Sequence, residues 1–134
     1  MSRRNAIRAL IALPVAGAAG AAIHRYDVQN KDLHDLSLIG QGTAVVVQIH
    51  DPACQLCRRL MGNSRKALKG QENVAFRVAD ITTSDGKSFQ QKHRADTVSL
   101  LLFNADGERV DTVQGVTPVD ELKSRFSRIS QPTT

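Results

Sequence analysis

Three short runs rich in apolar residues, a more polar fourth segment joined to the last of them by a turn, and stretches of helical periodicity around them set the plan of this chain. Residues 44–49, Ala-Val-Val-Val-Gln-Ile, are mostly β-branched and nearly all apolar, the pattern of a central strand covered on both faces. His50-Asp51-Pro52 closes that strand. Between Pro52 and Gly70 the period becomes helical, with Cys57, Leu60, Met61, Ser64 and Leu68 on one face and Arg58, Arg59, Asn63 and Lys66 on the other. Residues 73–81 predict a second strand with Val74, Phe76 and Val78 on one side. Ser99-Leu-Leu-Leu-Phe103 predicts a third, joined through Asn104-Ala-Asp-Gly107 to a fourth over 109–114. Lesser helices are expected over 32–38, ended by Gly40 and Gly42, and over 87–93, with Ser84-Asp85-Gly86 before it a turn or the helix start. Thr117 as a hydroxyl cap, Pro118 in the first turn and Asp120 and Glu121 near the positive dipole end mark a last helix. Val119, Leu122, Phe126 and Ile129 form its buried stripe. The order predicts an α/β fold: a parallel βαβ unit running into an antiparallel hairpin, giving a mixed central β-sheet flanked by helices.

The first 23 residues follow a different pattern. Residues 1–8 carry Arg3, Arg4 and Arg8, residues 9–23 are uncharged and mostly apolar, and residues 16–22 are all Ala or Gly. A basic start, an apolar middle and a small-residue end are the layout of an export signal. Ser2-Arg3-Arg4 resembles a twin-arginine signal, with Ala6 where a bulky apolar residue is usual. The expected division is therefore a signal peptide or signal anchor over 1–23 and one domain over 24–134. The apolar run is shorter than the ~20 residues a spanning helix prefers, which favours cleavage; membrane association through this segment is the alternative. Export points to the periplasm, an oxidising compartment in which disulfides persist.

Composition narrows the classes. A chain of 134 residues with 41% apolar and 23% charged residues suits one globular domain and is not disordered. The net charge of +5 is concentrated at the start: without Arg3, Arg4 and Arg8 the remainder carries 15 basic and 13 acidic residues. With 4% aromatics and no basic cluster, no nucleic-acid partner is expected.

Cys54 and Cys57 stand as Cys-Gln-Leu-Cys between the buried strand and the helix. A lone Cys-x-x-Cys is weak evidence, but this position makes it specific. Over roughly 36–129 the chain resembles the thioredoxin-fold family. The resemblance rests on the apolar strand before the cysteines, the CQLC motif, the strand ending at Asp80, the SLLLF strand with its NADGE turn, and the closing amphipathic helix. It implies a thioredoxin-like sandwich and a thiol–disulfide oxidoreductase that needs no cofactor. It also implies protein thiol or disulfide substrates and an upstream redox partner. The chain departs from the family pattern in three places: the motif, the proline position and the buried acid. Ala53 replaces its Trp, and Gln55-Leu56 replaces Gly-Pro. Val98, after Thr97, falls where the family has a cis-proline; a cis bond before a non-proline residue costs about 2.5 to 4 kcal/mol, so Thr97-Val98 is expected to be trans. Gln48 takes the place of a buried acid and cannot act as a base, which leaves proton movement to water or to His50.

On this reading Cys54 is the exposed nucleophile at a helix start, where unpaired N–H groups and the dipole favour a thiolate, with Arg58 and Arg59 adding positive charge. Cys57, on the core-facing stripe, is the resolving thiol. His50, as an imidazolium, is assigned to tuning Cys54. Pro52, Arg58, Thr97 and Val98 are assigned with it to substrate binding or tuning. The other histidines, His24, His34 and His93, are read as solvent-facing. Competing readings remain. A permanent disulfide over so short a loop is an inefficient staple. Two thiolates with His50 could hold Cu(I) or Zn(II), making a copper-binding or metalloprotein-assembly protein the alternative function. The four-ligand set is incomplete, so no metal site is assigned.

Overall fold

The computed structural model describes residues 32–132. The export segment expected over 1–23, and His24, lie outside the described residues.

Strand β1 (Ala44–His50) runs through the interior of a four-stranded sheet and is buried along its whole length. It pairs in parallel with β2 (Val74–Asp80) and antiparallel with β3 (Ser99–Phe103), and β4 (Arg109–Gln114) closes the order β2-β1-β3-β4. The sheet is mixed, as the element order predicts. β1 is one residue longer than expected, because His50 is in register with Asp80 and belongs to the ladder rather than to the break after it.

Three helices cover the sheet: α1 (Gln55–Ala67), α2 (Ser84–His93) and α3 (Val119–Ile129). Successive side chains of a strand point to opposite faces. Ala44 and Val46 of β1, with Leu100, Leu102 and Val113, accordingly pack against Leu60 and Ala67 of α1 and Leu122, Phe126 and Ile129 of α3. Val45, Val47 and Ile49, with Leu101 and Phe103, form the second layer, which Phe89 of α2 caps. Full burial of each such Leu or Phe contributes about 1.5–3 kcal/mol, so both layers are needed to hold the sheet. Gln48 and His50 continue the Ala44–Val46 face and so lie on the α1 side.

Local departures have local causes. Residues 36–38 form only a 3-10 turn, Leu36–Leu38, because Asp35 caps Ser37 at 3.0 Å and Ile39 is already extended. Of the two readings of Ser84-Asp85-Gly86, the helix start is the one observed: Thr83 is the cap of α2, its hydroxyl accepting from the Gly86 N–H at 3.1 Å. Gly86 is required there, since a Cβ would overlap the Asp80 carbonyl at the end of β2. Thr117 is not the cap of α3. Its hydroxyl donates instead to the Gly115 carbonyl at 3.2 Å, and Pro118 occupies the cap position without a side-chain bond. His93 is not solvent-facing either: its ring is half-buried, with centroids 4.3 Å from Phe89 and 5.5 Å from Phe103. His34 is exposed, as expected. Among the described residues no helix is long and apolar enough to cross a membrane.

Candidate functional site

The end of β1 turns into α1 through Asp51-Pro52-Ala53. The Asp51 carboxylate accepts from the Ala53 N–H at 2.9 Å, and its carbonyl accepts from the Cys54 N–H at 3.0 Å. These two hydrogen bonds to one aspartate fix the turn that leads into Cys54. Cys54 is the cap of α1, extended at φ −87 and ψ 119, and its Sγ accepts from the Cys57 N–H at 3.2 Å. A cap ordinarily uses oxygen; sulfur in that place gains most when it is anionic, since the helix start favours negative charge.

The two thiols are driven apart chemically by their surroundings. The Cys54 thiol is held below the ordinary thiol value, first by its hydrogen bond with the Cys57 side chain, then by the Cys57 and Leu56 N–H groups. Burial and the nearby Asp51 carboxylate oppose this. The Cys57 thiol is pushed up, chiefly by burial and then by its bond with Cys54, with the Asp51 and Val98 N–H groups offsetting part of it. Cys57 is fully buried and Cys54 partly exposed, and both are free thiols.

Beneath them, Gln48 is 0% exposed. Its Nε2 donates to the Cys57 carbonyl at 2.8 Å and lies 3.1 Å from His50 Nδ1, while its Oε1 has no partner. His50 is buried, and burial holds it below the usual histidine value, against the pull of Asp80 and Asp51. Burial thus favours the neutral imidazole over the imidazolium expected beside Cys54.

Arg58 is exposed and donates to the Pro52 carbonyl at 2.9 Å, so it braces the turn; the causes that lower Cys54 do not include it. Pro52 is exposed at the crest of that turn. Thr97 is half-buried, with its hydroxyl 3.5 Å from the Gln90 amide. The Thr97–Val98 bond is trans, and Val98 lies at φ +63, a conformation that costs a β-branched residue of order 1–3 kcal/mol. Its carbonyl is fixed by the Gly115 N–H at 2.8 Å and its own N–H faces the Cys57 sulfur.

The site thus gathers Cys54, Cys57, Gln48, His50 and the Val98 backbone. Arg58 and Thr97 serve neighbouring segments. Asp51, unassigned from sequence, shapes the approach to Cys54; an aspartate followed by proline after a strand is the signal of such a turn. Leu56, between the cysteines, is 52% exposed. No group of three or more His, Cys, Asp or Glu side chains is gathered for a metal among the described residues, so His50 does not complete a set with the two thiols. A surface groove of about 520 Å³ between β4 and α3, lined by Val110, Asp111, Arg125 and Arg128, contains none of these residues.

A buried strand feeding a cysteine-capped helix, a parallel crossover, an antiparallel hairpin and helices on both faces define a thioredoxin-like fold. The chain is 26% identical over 91 residues to a thioredoxin of Porphyra purpurea, a match spanning 68% of this chain and 84% of that protein. Among solved structures it is similar to an uncharacterised thioredoxin-like protein of Clostridium perfringens, with a TM-score of 0.61 and 11% identity, covering 72% of this chain and 78% of that one. It is also similar to the oxidised thioredoxin of Plasmodium falciparum, with a TM-score of 0.59 and 20% identity, covering 71% and 88%. No family model matches the chain.

Proposed function

We propose that this chain is a thiol–disulfide oxidoreductase in which Cys54 attacks and Cys57 resolves. The observation that carries the reading is the Cys57 N–H bonded to the Cys54 sulfur at the start of α1, which stabilises a thiolate on the partly exposed cysteine and leaves the buried one protonated. In the reducing direction, the Cys54 thiolate bonds to one sulfur of a substrate disulfide, and the other leaves as a thiolate and takes a proton. Cys57 then loses its proton and attacks the Cys54 sulfur, releasing the second substrate thiolate. The substrate gains two electrons and the pair becomes a disulfide. Oxidation of a substrate dithiol is the reverse.

Pro52, Ala53 and Leu56 are exposed around Cys54 and offer an apolar rim to a protein substrate. The basic, apolar, small-residue pattern of residues 1–23 supports a role on exported proteins in the bacterial periplasm. A reporter active only outside the cytoplasm, fused after residue 31, tests that placement.

The reaction is tested by reduction of insulin disulfides. Wild type is expected to turn over, Cys54→Ser to be inactive, and Cys57→Ser to accumulate a mixed disulfide with substrate through Cys54. Exchange by the wild type no faster than by glutathione at equal thiol concentration would overturn the reading.

A further inference from the structure

Gln48 is a polar residue in the middle of a strand that is otherwise apolar up to His50, and it is completely buried. Its amide nitrogen has two N–H groups and meets two acceptor sites, the Cys57 carbonyl at 2.8 Å and His50 Nδ1 at 3.1 Å. A carbonyl can only accept, so the nitrogen, not Oε1, must face Cys57. With that orientation fixed, the second N–H points at Nδ1, which must accept, and the proton of the neutral imidazole sits on Nε2. The unpartnered Oε1 is the other side of the same arrangement: both N–H groups are used and the oxygen is stranded.

We propose that Gln48 is a positioning residue that clamps His50 in the Nε2–H tautomer and links proton uptake at His50 to the first turn of α1, where the resolving cysteine sits. The clamp stands on the geometry alone; its effect on the exchange reaction rests on the oxidoreductase reading above. A proton added at Nδ1 sets two N–H groups against each other. Rotating the Gln48 amide relieves that clash but turns Oε1 toward the Cys57 carbonyl, replacing one repulsion with another. When the amide rotates, the Gln48 bond to Cys57 is lost; when it stays, that bond is strained by the charged ring beside it. The carbonyl released belongs to the residue whose N–H holds the Cys54 sulfur, so acid loosens the turn that keeps the thiolate. Around His50, Asp80 from β2 and Asp51 from the turn favour the charged ring. Arg58 from α1 and His34 from the segment before β1 oppose it, as does burial, the largest effect.

The tautomer is read directly from the imidazole ¹⁵N shifts of the reduced full chain. The Nε2–H form is expected for His50. In Gln48→Met, which keeps the length and removes the amide, the His50 midpoint is expected to rise by about 0.5 to 1 pH unit, the worth of one hydrogen bond to the neutral ring. The pH profile of Cys54 alkylation should show an inflection at the His50 midpoint that moves with it in the variant. If Gln48→Met does not fold, Gln48→Glu serves: its carboxylate accepts from a charged ring and raises the midpoint as well. A His50 protonated on Nδ1 in the wild type, a midpoint unmoved by either substitution, or an alkylation profile without the shared inflection overturns the proposal. A protein with the expected tautomer, midpoint shift and shared inflection, but no insulin reduction, would retain the clamp and sink the oxidoreductase reading.

Discussion

Arg58 Nη1 donates to the Pro52 carbonyl at 2.9 Å, across the turn that carries Cys54. The guanidinium braces that turn, while the largest effects lowering the Cys54 thiol are its bonds with Cys57. Arg58→Met is expected to leave the midpoint of Cys54 alkylation in place while loosening the turn. A midpoint that moves toward the ordinary thiol value in this variant would give the arginine a direct electrostatic role.

The opposite displacement of the two thiols predicts an order of modification. Under native, reduced conditions at neutral pH, iodoacetamide should add once, at Cys54, because that sulfur is accessible and carries the lowered value, while Cys57 is fully buried and raised. A second addition should appear only on denaturation. Peptide mass spectrometry distinguishes this from equal labelling of both.

Two half-hidden histidines predict how stability responds to acid. Burial holds His50 and His93 below the ordinary value of 6.5, helped at His93 by Lys92 and Arg109. The unfolded chain then binds protons more readily than the folded one, so their contribution is complete above 6.5 and is lost as pH falls from there through the folded-state values. Asp80 behaves differently: burial opposes ionisation, but bonds from the Thr82 hydroxyl and N–H prevail and hold it below 3.8, so its contribution is lost only in stronger acid. Urea midpoints measured against pH should begin to fall below 6.5, and His93→Phe, which keeps the ring stack with Phe89 and Phe103, should flatten that first decline. A curve level from pH 7 to pH 5 in the wild type would contradict this.

Gly86 has no room for a side chain against the Asp80 carbonyl. Gly86→Ala is expected to destabilise the fold by about 1–3 kcal/mol, the usual cost of overpacking, even though alanine favours helices. Thermal unfolding followed by circular dichroism checks it, and an unchanged or raised Tm would show that the end of β2 yields easily.

The first three strands were legible from sequence because each is a short run rich in apolar residues with a clear break, and the polar fourth because the NADGE turn pairs it with β3; β3 and β4 match their expected bounds, Ser99–Phe103 and Arg109–Gln114. The cysteines were legible because a Cys-x-x-Cys after a buried strand has few other uses. What escaped was direction. Arg58 is close in sequence to Cys54, but its long side chain turns to a carbonyl; Thr117 has a cap's chemistry, but its hydroxyl reaches backward; His93 lies in a polar stretch, but Phe89 of its own helix and Phe103 of β3 enclose it. None of these choices is written in residue type: the first two depend on how the local backbone turns, and the third also on a strand that the tertiary fold brings against the helix. Gln48 was visible as an anomaly in an apolar strand, whereas its two partners, one nine residues away on a helix, were not.

The interior position of β1 also bears on the order in which the molecule is made. Val46 lies opposite Phe76 on one side and Leu102 on the other, so the floor under the cysteines closes only after a loop spanning more than a third of the chain has been drawn together. Cys54 and Cys57 need no such closure to find each other. During synthesis and refolding they are a flexible, unguarded dithiol, free to oxidise before the helix exists, and their distinct reactivities arise late, when β3 docks. Protection of Cys57 from alkylation during refolding should therefore track the slow closure of the sheet rather than the fast growth of α1.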